Sequence, residues 1–214
     1  ILVPIWPNIT THILGDAETD AIRGMWGFNH IQRSLLPPDT PFWSSQINFH
    51  AGVVALMLPF TTGIVLAPIG LILGPVLGWN IGVYLMFLSY GCATAWLAKN
   101  LTHSWSAGLF AGAISMCQPM LIYAMADGTP EHISMWGMPI FLGLTIIAAQ
   151  TANNRSAIFA GVAAILLVFD SPYTVVYTAV AGLFVLPSAV LIGLRKQDRN
   201  ELIWTAGIFV SCIV

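Results

Sequence analysis

"AGVVALMLPFTTGIVLAPIGLILGPVLGWNIGVYLMFLSYGCATAWLA", residues 51–98, decides the fold class, because no charged residue occurs between His50 and Lys99. About 20 apolar residues are enough for a helix to cross the hydrocarbon core of a bilayer, and this run is more than twice that long. The rest of the chain agrees: 57% of residues are hydrophobic and 7% charged, with a mean hydropathy of +0.81. Further apolar runs, Ser106 to Met125, Ile133 to Gln150, Ala157 to Phe169 and Pro172 to Leu194, are separated by short polar breaks. The pattern predicts an all-α polytopic transmembrane helical bundle, since a β-barrel would alternate polar and apolar residues over strands of about 10 residues.

Residues 1–214 read as a single transmembrane domain. In it, 1–13 is the end of a first span, 14–50 an acidic and amphipathic loop, 51–78 a segment of open topology, and 79–214 successive spans. The chain opens on Ile1, and Val214 falls inside an apolar run that begins near Leu202, so we expect a piece of a longer protein without a recognisable signal peptide. Cys92, Cys117 and Cys212 all lie in apolar runs, which predicts packing roles and no disulfide framework.

Cytoplasmic loops retain Lys and Arg. Counting spans from Lys99 returns the chain to one side at Arg155, and again at Arg195, Lys196 and Arg199, so five of the seven basic residues share a face. The loops between, "ADGTPEH" and "FDSPY", carry Asp127, Glu131 and Asp170 without a basic residue, which makes the opposite face acidic. The segment 51–78 contains Pro59, Pro68, Pro75 and five glycines, residues that interrupt helices. If it crosses the membrane, the first loop lies beside Lys99. If it is re-entrant or interfacial, only Trp79 to Ala98 crosses and the first loop joins the acidic face. We favour the second reading, because irregular backbone at membrane depth is tolerated where it lines a cavity.

That first loop opens with "GDAETDAIRG", in which Asp16 and Asp20 are four apart and Arg23 three further on. Gly15 suggests that a helix begins near Asp16 as its cap, putting both aspartates on one helical face. One interpretation is a capping Asp followed by an Asp20–Arg23 pair. The other is a carboxylate held as a general base, or a pair holding a divalent cation, Mg or Mn. From Met25 to Leu36 the spacing of Met25, Phe28, Ile31 and Leu35 predicts an amphipathic helix lying on the membrane surface, with Trp26 in the interfacial belt and Arg33 reaching head groups. Pro37 and Pro38 end it, leaving His50 near the interface. His30 and His50 are either interfacial histidines with ordinary hydrogen bonds or contacts to a phosphate.

Taken in order, "GDAETD", "MWGFNHIQRSLL", "PFWSSQINFHAG", "PFTTGIVLAPIGLILGPVLGWN", "AWLAKNLTHSWSAGLFAG" and "DGTPEHISMWGMPIFL" resemble the N-terminal half of bacterial polytopic membrane glycosyltransferases of the GT-C superfamily. The likeness is greatest to the group whose first outer loop opens with G-D-x-x-x-D, and it covers most of Leu14 to Leu194. The resemblance implies sugar transfer from a polyprenyl-phosphate-linked donor to an acceptor at the outer face of a bacterial inner membrane, within the cell envelope. It implies Asp16 as catalytic base and Asp20 as the second acid. It also brings the second outer loop to the site, making Asp127, Glu131 and His132 candidate contacts to acceptor, metal or phosphate. A leaving phosphate needs positive charge, for which Arg23, Arg33, His30, His50 or a divalent ion are available, and a lipid donor calls for an apolar groove near residues 51–78. The plainer interpretation of the second loop is helix termination at Gly128 and Pro130, with Glu131 starting the next helix. Helix termination is also the reading of Asp170 before Pro172. Residues 1–214 do not include the C-terminal soluble domain of many GT-C enzymes, and their expected outer loops carry no Lys or Arg after Arg33.

No P-loop, CxxC pair, HExxH or GxSxG occurs, which argues against nucleotide hydrolases, zinc or iron–sulfur sites and serine hydrolases. A net charge of −2 argues against nucleic-acid binding. Membrane lipids and a polyprenyl-phosphate sugar donor are the expected partners. Two other classes compete: a non-catalytic integral subunit of a larger membrane complex, and a lipid or solute transporter, which would want its acids deep inside a span rather than at span ends.

Overall fold

The computed structural model describes residues 8–16, 18, 20–35, 42–44, 53–54 and 59–196. His50, Pro37, Pro38 and Cys212 lie outside the described residues, as do most of the first-span end and the apolar run from Leu202. The described chain is mostly helical: α1 Ala21–Ser34, α2 Phe60–Leu73, α3 Pro75–Thr102, α4 Trp105–Met116, α5 Pro119–Asp127, α6 Pro130–Ile133, α7 Gly137–Thr151, α8 Asn154–Asp170 and α9 Pro172–Lys196. Two short strands, β1 Trp43–Ser44 and β2 Val53–Val54, form an antiparallel ladder in which Trp43 pairs with Val54 and Ser44 with Val53.

Proline and glycine set most of the boundaries. Pro75 occupies the first position of α3 and Pro119 that of α5, where the missing N–H costs nothing because first-turn donors have no intrahelical partner. At Gly74, φ is +83°, and the chain turns between α2 and α3. The two helices then run beside each other, so that a β-carbon on Gly78 would come 2.5 Å from Gly70 Cα. The charge-free run is therefore divided into a 14-residue helix and a 28-residue one. At 1.5 Å per residue these measure roughly 21 Å and 42 Å, against a hydrocarbon core of about 30 Å.

Among the described residues two helical stretches are long and apolar enough to cross a membrane, Pro75–Thr102 and Pro130–Thr151, the latter joining α6 and α7; the bent pair α4 and α5 makes a third if counted as one span. That inventory is consistent with an integral membrane protein. The apolar run Ser106 to Met125, expected as one helix, is broken at Cys117 and Gln118, because Pro119 cannot donate to the preceding turn. The runs 157–169 and 172–194 lie in α8, of 17 residues, and in α9, of 25 residues with Pro187 inside it.

The chain groups into two compact units. One comprises Ile1–Ser89 and Met116–Ser134, the other Tyr90–Ser115 and Met135–Val214. In the first, α1 packs on α2. Ile31 fills the space above Gly63, and Gln32 lies against Gly70. Phe28 meets Trp79 of α3 edge-on at 6.1 Å. Phe28 and Ile31 are buried as the helical spacing predicts, but protein covers them, so the apolar stripe of α1 is not laid on a lipid surface; Leu35 is exposed. In the second unit, α7 packs on α8 and α9. There Gly112 of α4 sits on α3, where a β-carbon would lie 2.6 Å from the Gly91 carbonyl oxygen. Cys92 and Cys117 are free thiols on the exposed surface, not in the core.

Candidate functional site

The acidic first loop is held by the start of α3. Asn80, fully buried, accepts a hydrogen bond from the Leu14 N–H through Oδ1 at 2.6 Å. Its Nδ2 donates to the carbonyl oxygens of Ile9, at 2.7 Å, and His12, at 2.8 Å. Beside it, Trp79 Nε1 donates to the Leu14 carbonyl at 2.9 Å. A polar amide in an apolar interior must find partners, and here the partners are the backbone just before Asp16.

The second loop closes on the same place. α5 ends at Gly128, whose φ of +81° caps it in the left-handed conformation. Gly15, with φ +118°, lies opposite: a β-carbon on either glycine would come 2.5 Å from Ala21 Cβ. The approach allows the Asp16 N–H to donate to the Asp127 carbonyl at 3.2 Å. Asp127 in turn accepts a hydrogen bond from Thr129 Oγ1 at 3.0 Å. "GDAETD" and "ADGTPEH" thus form one surface, with Pro130 packed over Gly24.

Arg23 ties that surface together. Its Nε lies 3.0 Å from Asp20 Oδ1 and its Nη2 2.8 Å from Glu131 Oε1. The Glu131 side chain is 4% exposed and that of Arg23 46%. The guanidinium compensates a carboxylate that burial alone would make costly.

Several expected roles change. α1 starts at Ala21 with Asp20 as its N-cap residue, and Asp20 makes no side-chain cap bond because its carboxylate is turned to Arg23. Asp16 stands ahead of the helix in a turn, where its exposed Oδ1 accepts from the Glu18 N–H at 3.0 Å, so Asp16 and Asp20 do not share a helical face. Arg23 is engaged by two carboxylates. Arg33 is exposed at the far end of α1, and ten residues of helix put it about 15 Å from Arg23 along the axis. His30 is buried and stacked on Trp26, ring centroids 5.1 Å apart, which removes it from a surface phosphate role. His132 is half-buried next to Glu131. Among the described residues no three His, Cys, Asp or Glu side chains are grouped to hold a metal ion.

An apolar groove of about 430 Å³ lies within the second unit, lined by Phe141, Leu167, Val175, Thr178, Leu183 and Pro187 of α7, α8 and α9. The expectation had placed such a groove at residues 51–78. Trp79 and Asn80 were not anticipated as part of the acidic site. Their signal was present: "WN" is a polar pair inside a charge-free run. No protein-family model matches the chain, and no curated protein or solved structure matches it.

Proposed function

We propose that the protein is a membrane glycosyltransferase that moves a sugar from a polyprenyl-phosphate-linked donor to an acceptor hydroxyl, with Asp16 as general base. The observation that carries this reading is an exposed carboxylate on a backbone fixed from both sides, by Asn80 and Trp79 before it and by Asp127 at it. A hydroxyl is a poor nucleophile at neutral pH. A carboxylate within hydrogen-bond reach takes its proton as the new bond to the sugar forms, while the phosphate leaves with the electron pair of the bond that breaks. Rigid placement favours that step, because misplacement of the base by an ångström is costly.

The wider topology belongs to the same proposal: a polytopic bundle in a bacterial inner membrane, with the acidic loops on the outer face and α2 re-entrant. Two observations support it. The first and second loops touch, so they lie on one side of the bilayer. In addition, α2 is short and turns back along α3 at Gly74. Two crossings between the two loops, α3 and then the α4–α5 pair, agree with those contacts.

The test is transfer from a radiolabelled polyprenyl-phosphate sugar pool in membranes carrying wild-type protein or Asp16→Asn at matched levels. Loss of a general base is expected to lower transfer roughly 10²-fold or more. Equal transfer by the two proteins would return the non-catalytic subunit reading, which the mutual pairing of Asp20, Arg23 and Glu131 favours, since it gives each charge a structural partner.

A further inference from the structure

Asn80 is a fully buried side chain on a candidate spanning helix, and its amide reaches outside that helix. Both of its N–H donors and its oxygen are directed at residues 9–14, over a sequence separation of up to 71 residues. A helix needs no such residue for its own stability, and an apolar side chain of the same volume would pack as well at this depth. What the amide does instead is specify the path of an irregular segment. It satisfies three backbone groups that the segment cannot pair within itself. The segment ends at Gly15, whose φ of +118° reverses the chain into Asp16.

We propose that Asn80 is the positioning residue for the Asp16 carboxylate. This rests on the reading of Asp16 as a base. Leu14 is held on both of its backbone polar groups, its N–H by Asn80 and its carbonyl by Trp79. Two residues later, the Asp16 N–H is fixed on Asp127. The carboxylate is thus suspended between a clamp on α3 and a clamp on the second loop. Removing Asn80 leaves the second clamp and the Asp20–Arg23–Glu131 pairing in place, so the loop loosens from its upstream end while the unit stays folded.

The experiment compares wild type, Asn80→Ala and Trp79→Phe in detergent or lipid discs. Trp79→Phe removes one donor and keeps a ring over Gly24. Hydrogen exchange is followed at the amides of residues 9–16, and sugar transfer is followed in the same samples and in an Asp16→Asn/Asn80→Ala double variant. The three hydrogen bonds lost in Asn80→Ala are expected to speed exchange at Leu14 and Asp16 roughly ten- to a thousand-fold, with α7 and α8 unchanged. Trp79→Phe gives a smaller change in the same residues. In transfer, Asn80→Ala lowers kcat with little effect on KM for the acceptor, and the double variant is no slower than Asp16→Asn alone, because both act through one carboxylate. Unchanged exchange at 9–16 in both single variants overturns the proposal, as do additive losses of transfer in the double variant. If wild type transfers no sugar at all, the glycosyltransferase reading fails, and the exchange result alone decides whether Asn80 and Trp79 position Asp16.

Discussion

A methyl group added at Gly128 tests the meeting of the two loops. Gly128 has φ +81°, and its β-carbon would stand 2.5 Å from Ala21 Cβ and 2.9 Å from Ala21 Cα, with Ala21 itself fully buried. Two costs follow in Gly128→Ala. An L-residue in the left-handed conformation loses roughly 1–2 kcal/mol, and forcing a methyl into a closed site costs roughly 1–3 kcal/mol. Together they amount to about 2–5 kcal/mol, a large part of a typical folding free energy of about 5–15 kcal/mol. Chemical unfolding in micelles followed by far-UV circular dichroism reads the difference. A second substitution, Ala21→Gly, removes the nearest atom. It is expected to restore part of the steric share, roughly 1 kcal/mol, and to leave the backbone share and the 2.9 Å approach to the Cα at position 21. Gly128→Ala within about 0.5 kcal/mol of wild type would refute the close approach. Full recovery in the double variant would refute the backbone contribution.

Arg23→Met leaves Glu131, 4% exposed, without its guanidinium; breaking a buried pair costs about 3–5 kcal/mol, and because Arg23 is half-exposed we expect roughly 1–3 kcal/mol. Glu131→Gln in the same background should then cost less than it does in wild type, by on the order of 1 kcal/mol in a double-mutant cycle, and strictly additive losses would show that the pair is not coupled. Asn153 caps α8 by accepting the Arg155 N–H at 2.9 Å. Asn153→Ala should lower stability by about 1 kcal/mol without altering exchange at 9–16, so a change confined to the acidic loops would count against the assignment.

Much of the helical layout was legible in the residues. Gly128 and Pro130 end one helix and start the next, and Pro172 separates α8 from α9, because these residues act through their own backbone geometry. The same local logic was available at Pro119, where high hydropathy on both sides suggested one continuous span. It also failed at Asp16. Spacing places Asp16 and Asp20 on one face only if a helix already exists there, whereas the loop is held open by bonds to Asn80 and Asp127 from elsewhere in the chain. Of the candidate contacts, Asp127 and Glu131 do come to the acidic loop; His30 and Arg33 do not, one because it is buried under Trp26 and the other because α1 carries it away.

The sequence by itself determined the class: long apolar runs, poor in charge, that form helices with breaks at proline and glycine, two or three of them long and apolar enough to cross a membrane. Hydropathy and backbone preference are local properties, so they can be read in a window of residues. Only the tertiary structure decided which charges meet. Seven basic and nine acidic residues offer many pairings, and nothing in a local window links Arg23 to Glu131, 108 positions away. That contact exists because Gly15 and Gly128 let two loops approach over Ala21, and because a carboxylate buried there needs a guanidinium within reach.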